Sequence, residues 1–174
     1  MNYIKAFVFP EIKLILRLCT FSTVSEHLNL KGLQFFGTIP HELGRMDLQV
    51  LELDNNDLSG SIPLQLGGLS NLRTITLKKN QIEGIIPVEL SNCKNLTEID
   101  FSMNRMTGTI PSELFEVGTL EKITLNTNQF SGQIPSNINH GLKHCEYLIH
   151  IMNLSEIHSN LIFVLFQLKL TVII

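Results

Sequence analysis

Toward the carboxyl end of this 174-residue chain His140, His144 and Cys145 lie close together, with His150 and His158 following. Imidazole nitrogens and a thiolate are zinc donors, and on a helix His140 and His144 would share one face. A structural zinc site takes four ligands, however, and no second closely spaced pair completes the set, so no metal is expected. A second polar row, Asn56, Asn80, Asn104 and Asn128, recurs every 24 residues. An amide donates and accepts at once, which suits an active-site row and equally suits bonding to buried backbone at a turn. No nucleophile, base and orienting residue recur together around it. The chain also has no G-x-x-x-x-G-K, G-x-G-x-x-G or H-E-x-x-H motif and no kinase catalytic-loop signature. The expectation is a non-enzymatic protein without a cofactor.

The elements that position these residues are set by a repeat. A glycine followed by any residue and Ile-Pro occurs at Gly37, Gly60, Gly84, Gly108 and Gly132, with steps of 23, 24, 24 and 24 residues. A unit of that length cannot close a core alone and must stack on copies of itself. Aligned, the units read L-x-x-L-x-L-x-x-N-x-L-x-G-x-I-P-x-x-L-x-x-L, as in Leu48, Leu51, Leu53, Asn56, Leu58, Gly60, Ile62, Pro63, Leu66 and Leu69.

This pattern is the leucine-rich-repeat signature. Its L-x-G-x-I-P half resembles the plant-type subclass found in ectodomains of receptor-like kinases, receptor-like proteins and secreted polygalacturonase inhibitors. The resemblance covers residues 25–140. It implies an α/β repeat solenoid: a right-handed superhelix of about five repeats, with a parallel concave β-sheet and a 3₁₀ or irregular convex side. Within that frame the asparagine row reads as structural, because a buried polar group left unpaired costs about 1–3 kcal/mol in every unit. The first unit departs from its siblings, with Leu33 at the asparagine position and a connection one residue short. An edge unit, lacking a preceding neighbour, tolerates that loss.

Alternate strand residues face opposite sides, so each unit presents three residues on the inner surface. The columns run His27, Val50, Thr74, Glu98, Lys122; then Asn29, Glu52, Thr76, Asp100, Thr124; then Lys31, Asp54, Lys78, Ser102, Asn126. Glu52, Asp54, Thr76, Lys78, Glu98, Asp100, Ser102, Lys122, Thr124 and Asn126 are the candidate binding residues, all expected to face solvent. Opposite charges fall on adjacent strands at Lys31 and Asp54, Asp54 and Lys78, and Glu98 and Lys122. Four gaps of about 4.8 Å make a face roughly 19 Å long, enough for about six extended residues.

Thirteen Lys plus Arg against sixteen Asp plus Glu, a net charge of -3, leave no basic face for nucleic acid. Cys93 occupies an apolar column and reads as a small buried hydrophobe; Cys19 and Cys145 stand singly beside the array, without local mates. Residues 1–24 are apolar but broken by Glu11, Lys13 and Arg17, which makes a poor secretion signal and suits a cap over the first strand instead. Residues 141–174 read as a degraded repeat followed by an apolar tail. The tail, Leu161 to Ile174, is too short to span a membrane and carries Lys169. The two ends read as those of a truncated chain. Asn95-Leu96-Thr97 and Asn153-Leu154-Ser155 are glycosylation sequons, so Asn95 and Asn153 are acceptor candidates in a secretory setting.

The resemblance implies a module that binds a protein or short peptide on its concave face, with a co-receptor contact as one form. Its location would be extracellular or at the plasma membrane, membrane attachment following only from a longer receptor. Two alternatives stand beside it: an inert or structural fragment, and an inhibitor of a secreted cell-wall hydrolase.

Overall fold

The computed structural model describes residues 26–132 and 135–137. Both end segments therefore lie outside the described residues, as do Cys19, Cys145, the histidine group from His140 to His158, Asn153 and the apolar tail.

Each unit contributes a three-residue strand where the L-x-L pattern puts two apolar side chains on one side and a polar one on the other. These strands are β1 (His27–Asn29), β3 (Val50–Glu52), β5 (Thr74–Thr76), β7 (Glu98–Asp100) and β9 (Lys122–Thr124), interleaved in the chain with β2 (Phe36–Thr38), β4 (Asp57–Gly60), β6 (Gln81–Gly84) and β8 (Arg105–Met106). The odd-numbered strands form one five-stranded sheet in the order β1-β3-β5-β7-β9, every pair parallel and in the register of the repeat. The even-numbered strands form a second, four-stranded parallel sheet. The repeat implies a parallel concave sheet with a 3₁₀ or irregular convex side, and both are present; the four-stranded sheet is additional to them. The second sheet arises because the residues leading into each repeated glycine extend and pair with the next unit in a register shifted by two positions, Gly60 opposite Ile82 and Gly84 opposite Met106.

Among the described residues Pro40, Pro63, Pro87 and Pro111 each precede a 3₁₀ turn, namely η1 (His41–Arg45), η2 (Leu64–Gly68), η3 (Val88–Asn92) and η4 (Ser112–Glu116). Pro63, with its ring holding φ at -65, accepts from the Leu66 amide at 3.1 Å, and Pro87 accepts from Leu90 in the same way. A 3₁₀ period of three then directs Leu43, Leu66, Leu90 and Leu114 inward, where all four are buried.

The repeated glycine answers two demands at once. Gly108 has φ +78, and a Cβ there would lie 2.7 Å from Ile85 Cγ2, the side chain one unit earlier that covers it. On the convex side the turns approach backbone to backbone: a Cβ on Gly67 would meet the Glu89 carbonyl oxygen at 2.3 Å.

Between the sheets and turns runs one continuous core of leucine, isoleucine and phenylalanine columns, for example Leu53, Leu77, Phe101 and Leu125. Cys93 belongs to it, as expected. Its thiol donates to Leu66 O at 3.5 Å, and burial pushes its pKa up to about 11. At the first unit Leu28, Leu30 and Met46 are only partly buried, and Leu33 is exposed.

Candidate functional site

The asparagine row forms a ladder. Asn104 Nδ2 donates to Leu77 O of the preceding unit at 2.9 Å and to Phe101 O of its own at 3.1 Å, while its Oδ1 accepts from the Ile82 amide at 3.0 Å. Asn80 and Asn128 repeat these contacts one unit either side. Asn56 does the same for the first unit, bonding Leu30 O, Leu53 O and the amides of Leu33 and Phe35. The Leu33 contact is additional to the pattern and serves a unit that has no asparagine of its own. Every amide in the row is thereby occupied by backbone, so none is available for chemistry.

The concave surface is the polar side of the five-stranded sheet. The structure brings all ten candidate binding residues to this surface, but not all into solvent. Glu52, Glu98, Asp100, Lys122, Thr124 and Asn126 are half-buried and Lys78 is exposed, whereas Asp54, Thr76 and Ser102 are buried, Ser102 at 1%. Short side chains between longer in-register neighbours are shielded by them, which an alternation argument cannot register.

The ion pairs also differ from those expected. Lys31 Nζ contacts Glu52 Oε1 at 2.6 Å as well as Asp54 Oδ2 at 3.1 Å. The hydrogen bond that Lys31 donates to Glu52, with Asp54 beside it, raises the Lys31 pKa against a smaller opposing effect of burial. Lys122 Nζ pairs with Glu98 at 2.6 Å, as the columns suggest. Asp54 makes no ion pair with Lys78; instead its Oδ1 accepts from the Lys78 backbone amide at 2.9 Å. The carboxylate is thus used to brace the turn, leaving the Lys78 ammonium in solvent. Asp100 Oδ1 accepts from both the amide (3.0 Å) and the hydroxyl (2.6 Å) of Ser102.

One residue at the rim escaped the column analysis. Met103 occupies the left-handed position before Asn104, with φ 58, and its side chain is 41% exposed. A non-glycine residue there points its side chain outward beside the concave surface, where a thioether offers an adaptable apolar contact. The signal was its place directly before the repeated asparagine, shared with Asn55, Lys79 and Thr127.

Among the described residues no group of His, Cys, Asp and Glu is arranged to hold a metal ion, and no helix is long and apolar enough to cross a membrane.

A family model described as leucine rich repeat matches residues 46–106. Comparison with curated proteins returned no match. Among solved structures, the chain is similar to the plant peptide hormone receptor RGFR1 in complex with RGF2, at 34% identity and TM-score 0.64, over 66% of this chain and 18% of that one. A chain of the BIR3–SERK2 complex from Arabidopsis thaliana matches at 40% identity and TM-score 0.62, covering 65% of this chain and 61% of that one. The LRR ectodomain of the receptor kinase SOBIR1 from Arabidopsis thaliana matches at 31% identity and TM-score 0.62, covering 67% and 65% respectively. This chain spans less than two thirds of the length of each of these relatives. Its repeat array is a leucine-rich-repeat solenoid, similar to the ectodomains of plant receptor kinases.

Proposed function

We propose that this protein is a non-enzymatic recognition module whose concave sheet binds a short extended peptide or a segment of a partner protein. The observation that carries the reading is the five-stranded parallel sheet with its polar, half-buried inner side, in a fold shared with a plant peptide hormone receptor, RGFR1, in complex with RGF2. The BIR3–SERK2 complex supports a protein partner as the other form of the same activity. Strands stacked in one register form a rigid surface, so little ordering entropy is lost on the protein side when a ligand docks.

The test is selection from a random hexapeptide library on the immobilised full chain. Enriched peptides are expected, and their binding should fall about ten-fold or more in the double charge reversal Asp100→Lys with Lys122→Glu. The fold should survive the reversal, which breaks the half-buried Lys122–Glu98 pair and the Asp100 bonds to Ser102 but no core contact, at a cost of about 1–3 kcal/mol. Absence of enrichment, or binding indifferent to the reversal, would count against the concave face.

The extracellular location of such ectodomains extends to this chain as part of the same proposal. It has a structural correlate at Asn95, which is exposed just before β7; its Nδ2 donates to Ser70 O at 3.0 Å. An amide nitrogen carrying a glycan keeps one N–H, so the bond to Ser70 survives modification. Expression through a secretory pathway should yield a product whose gel mobility increases on glycosidase treatment, with that change reduced by Asn95→Gln. An Asn95→Gln product that shifts as much as the parent excludes this acceptor.

A further inference from the structure

Charges on the concave face are unevenly satisfied. Lys31 engages Glu52 and Asp54, and Lys122 engages Glu98. Asp100, by contrast, has no cationic partner among the described residues, and its only side-chain bonds are those that Oδ1 accepts from Ser102. Directly beside it in register lies Thr76, flanked on its other side by Glu52. Thr76 is 6% exposed, and its Oγ1 has no hydrogen-bond partner. A buried hydroxyl normally finds a partner, and one without points to a group that binds there. The alternation of β5 aims it to the concave side, since the neighbouring Ile75 enters the core.

We infer that Thr76 and Asp100, beside the Lys31-paired Glu52, form a subsite for a cationic side chain of the bound peptide, an arginine or lysine. The inference rests on the concave-face reading above and specifies its ligand. Thr76 Oγ1 accepts one N–H of the incoming group and Asp100 Oδ2 a second, a charge-assisted bond of the stronger kind. The hydroxyl is closed to solvent, so the ligand reaches it by parting the flanking side chains, and a donor that bonds both atoms offsets that cost. An acidic side chain would meet Asp100 without compensation. Lys78, exposed two residues along the chain and free of ion pairs among the described residues, disfavours a second cation next to the first.

Calorimetric titration of the full chain with three blocked glycine–serine hexapeptides tests this, the peptides differing only in a central arginine, citrulline or glutamate. Citrulline keeps the shape of arginine and removes its charge. The arginine peptide should bind about ten-fold or more tightly than the citrulline peptide, and the glutamate peptide most weakly. Asp100→Asn should erase the preference for arginine. Thr76→Val should weaken the arginine peptide about five-fold without lowering the melt, and Thr76→Ser, which keeps the hydroxyl, should retain the preference. Equal binding of arginine and citrulline peptides, or a preference that survives Asp100→Asn, overturns the subsite while leaving concave-face binding intact. Failure of all three peptides to bind also overturns it, and the library selection then decides the wider reading independently.

Discussion

Leu77→Ala should destabilise the protein by about 2–5 kcal/mol, read as a fall in the urea midpoint at unchanged slope. Leu77 is fully buried in the column that includes Leu53 and Phe101, so truncation removes contacts to the units on both sides. A solenoid gains its stability from the interfaces between neighbours, and a defect in the middle weakens two of them at once. The stiff backbone around the site limits collapse into the space: the Leu77 amide donates to Asp100 O at 2.8 Å, tying β5 to β7 at that level. Leu30→Ala, in the same column at the partly buried first unit, is the internal control and should cost visibly less. Equal costs at the two positions would show that the array does not distribute its stability through unit interfaces.

Asn104→Ala should cost about 1–3 kcal/mol, although it removes no apolar contact of note. The side chain donates to the Leu77 and Phe101 carbonyls and accepts from the Ile82 amide; the two carbonyls keep bonds from Asn80 and Asn128, so the Ile82 amide is the group left unpaired. Unpaired buried backbone groups cost about 1–3 kcal/mol apiece, partly relieved here because Asn104 is only half-buried and water can enter. Asn104→Asp separates hydrogen bonding from volume. Aspartate keeps the acceptor toward Ile82 but faces the two carbonyls with a carboxylate, so it should be no better tolerated than alanine. A melt for Asn104→Asp close to that of the parent would mean that the donor half of the ladder contributes nothing. Because the ladder lies directly behind the concave strands, loss of Asn104 should also loosen the surface presented by β7 and weaken peptide binding along with stability.

These two substitutions bear on function through the same architecture. The concave strands are only three residues long, and none could hold its side chains in place alone. Column packing on one side and the asparagine ladder on the other fix their spacing. Acidic and basic groups on adjacent strands therefore meet in a set order, with Lys31 and Lys122 neutralising the carboxylates near the two ends of the sheet and Asp100 left uncompensated between them.

Much of this protein follows from its order of residues. A period of 24 with leucine, asparagine and glycine in register dictates stacked units, assigns Leu53 and Leu77 to the core, places Asn104 against backbone and puts Cys93 among the apolar columns. Those are consequences of periodicity, and periodicity is a local property that a chain displays before it folds. Tertiary structure alone decided the rest. It paired the strands before each glycine into a second sheet, shielded Thr76 and Ser102 behind longer neighbours, and gave Asp54 to the Lys78 amide rather than to its ammonium. Which of several nearby donors a carboxylate takes, and how far a short side chain reaches solvent, depend on distances across units. Those distances exist only once the units are stacked.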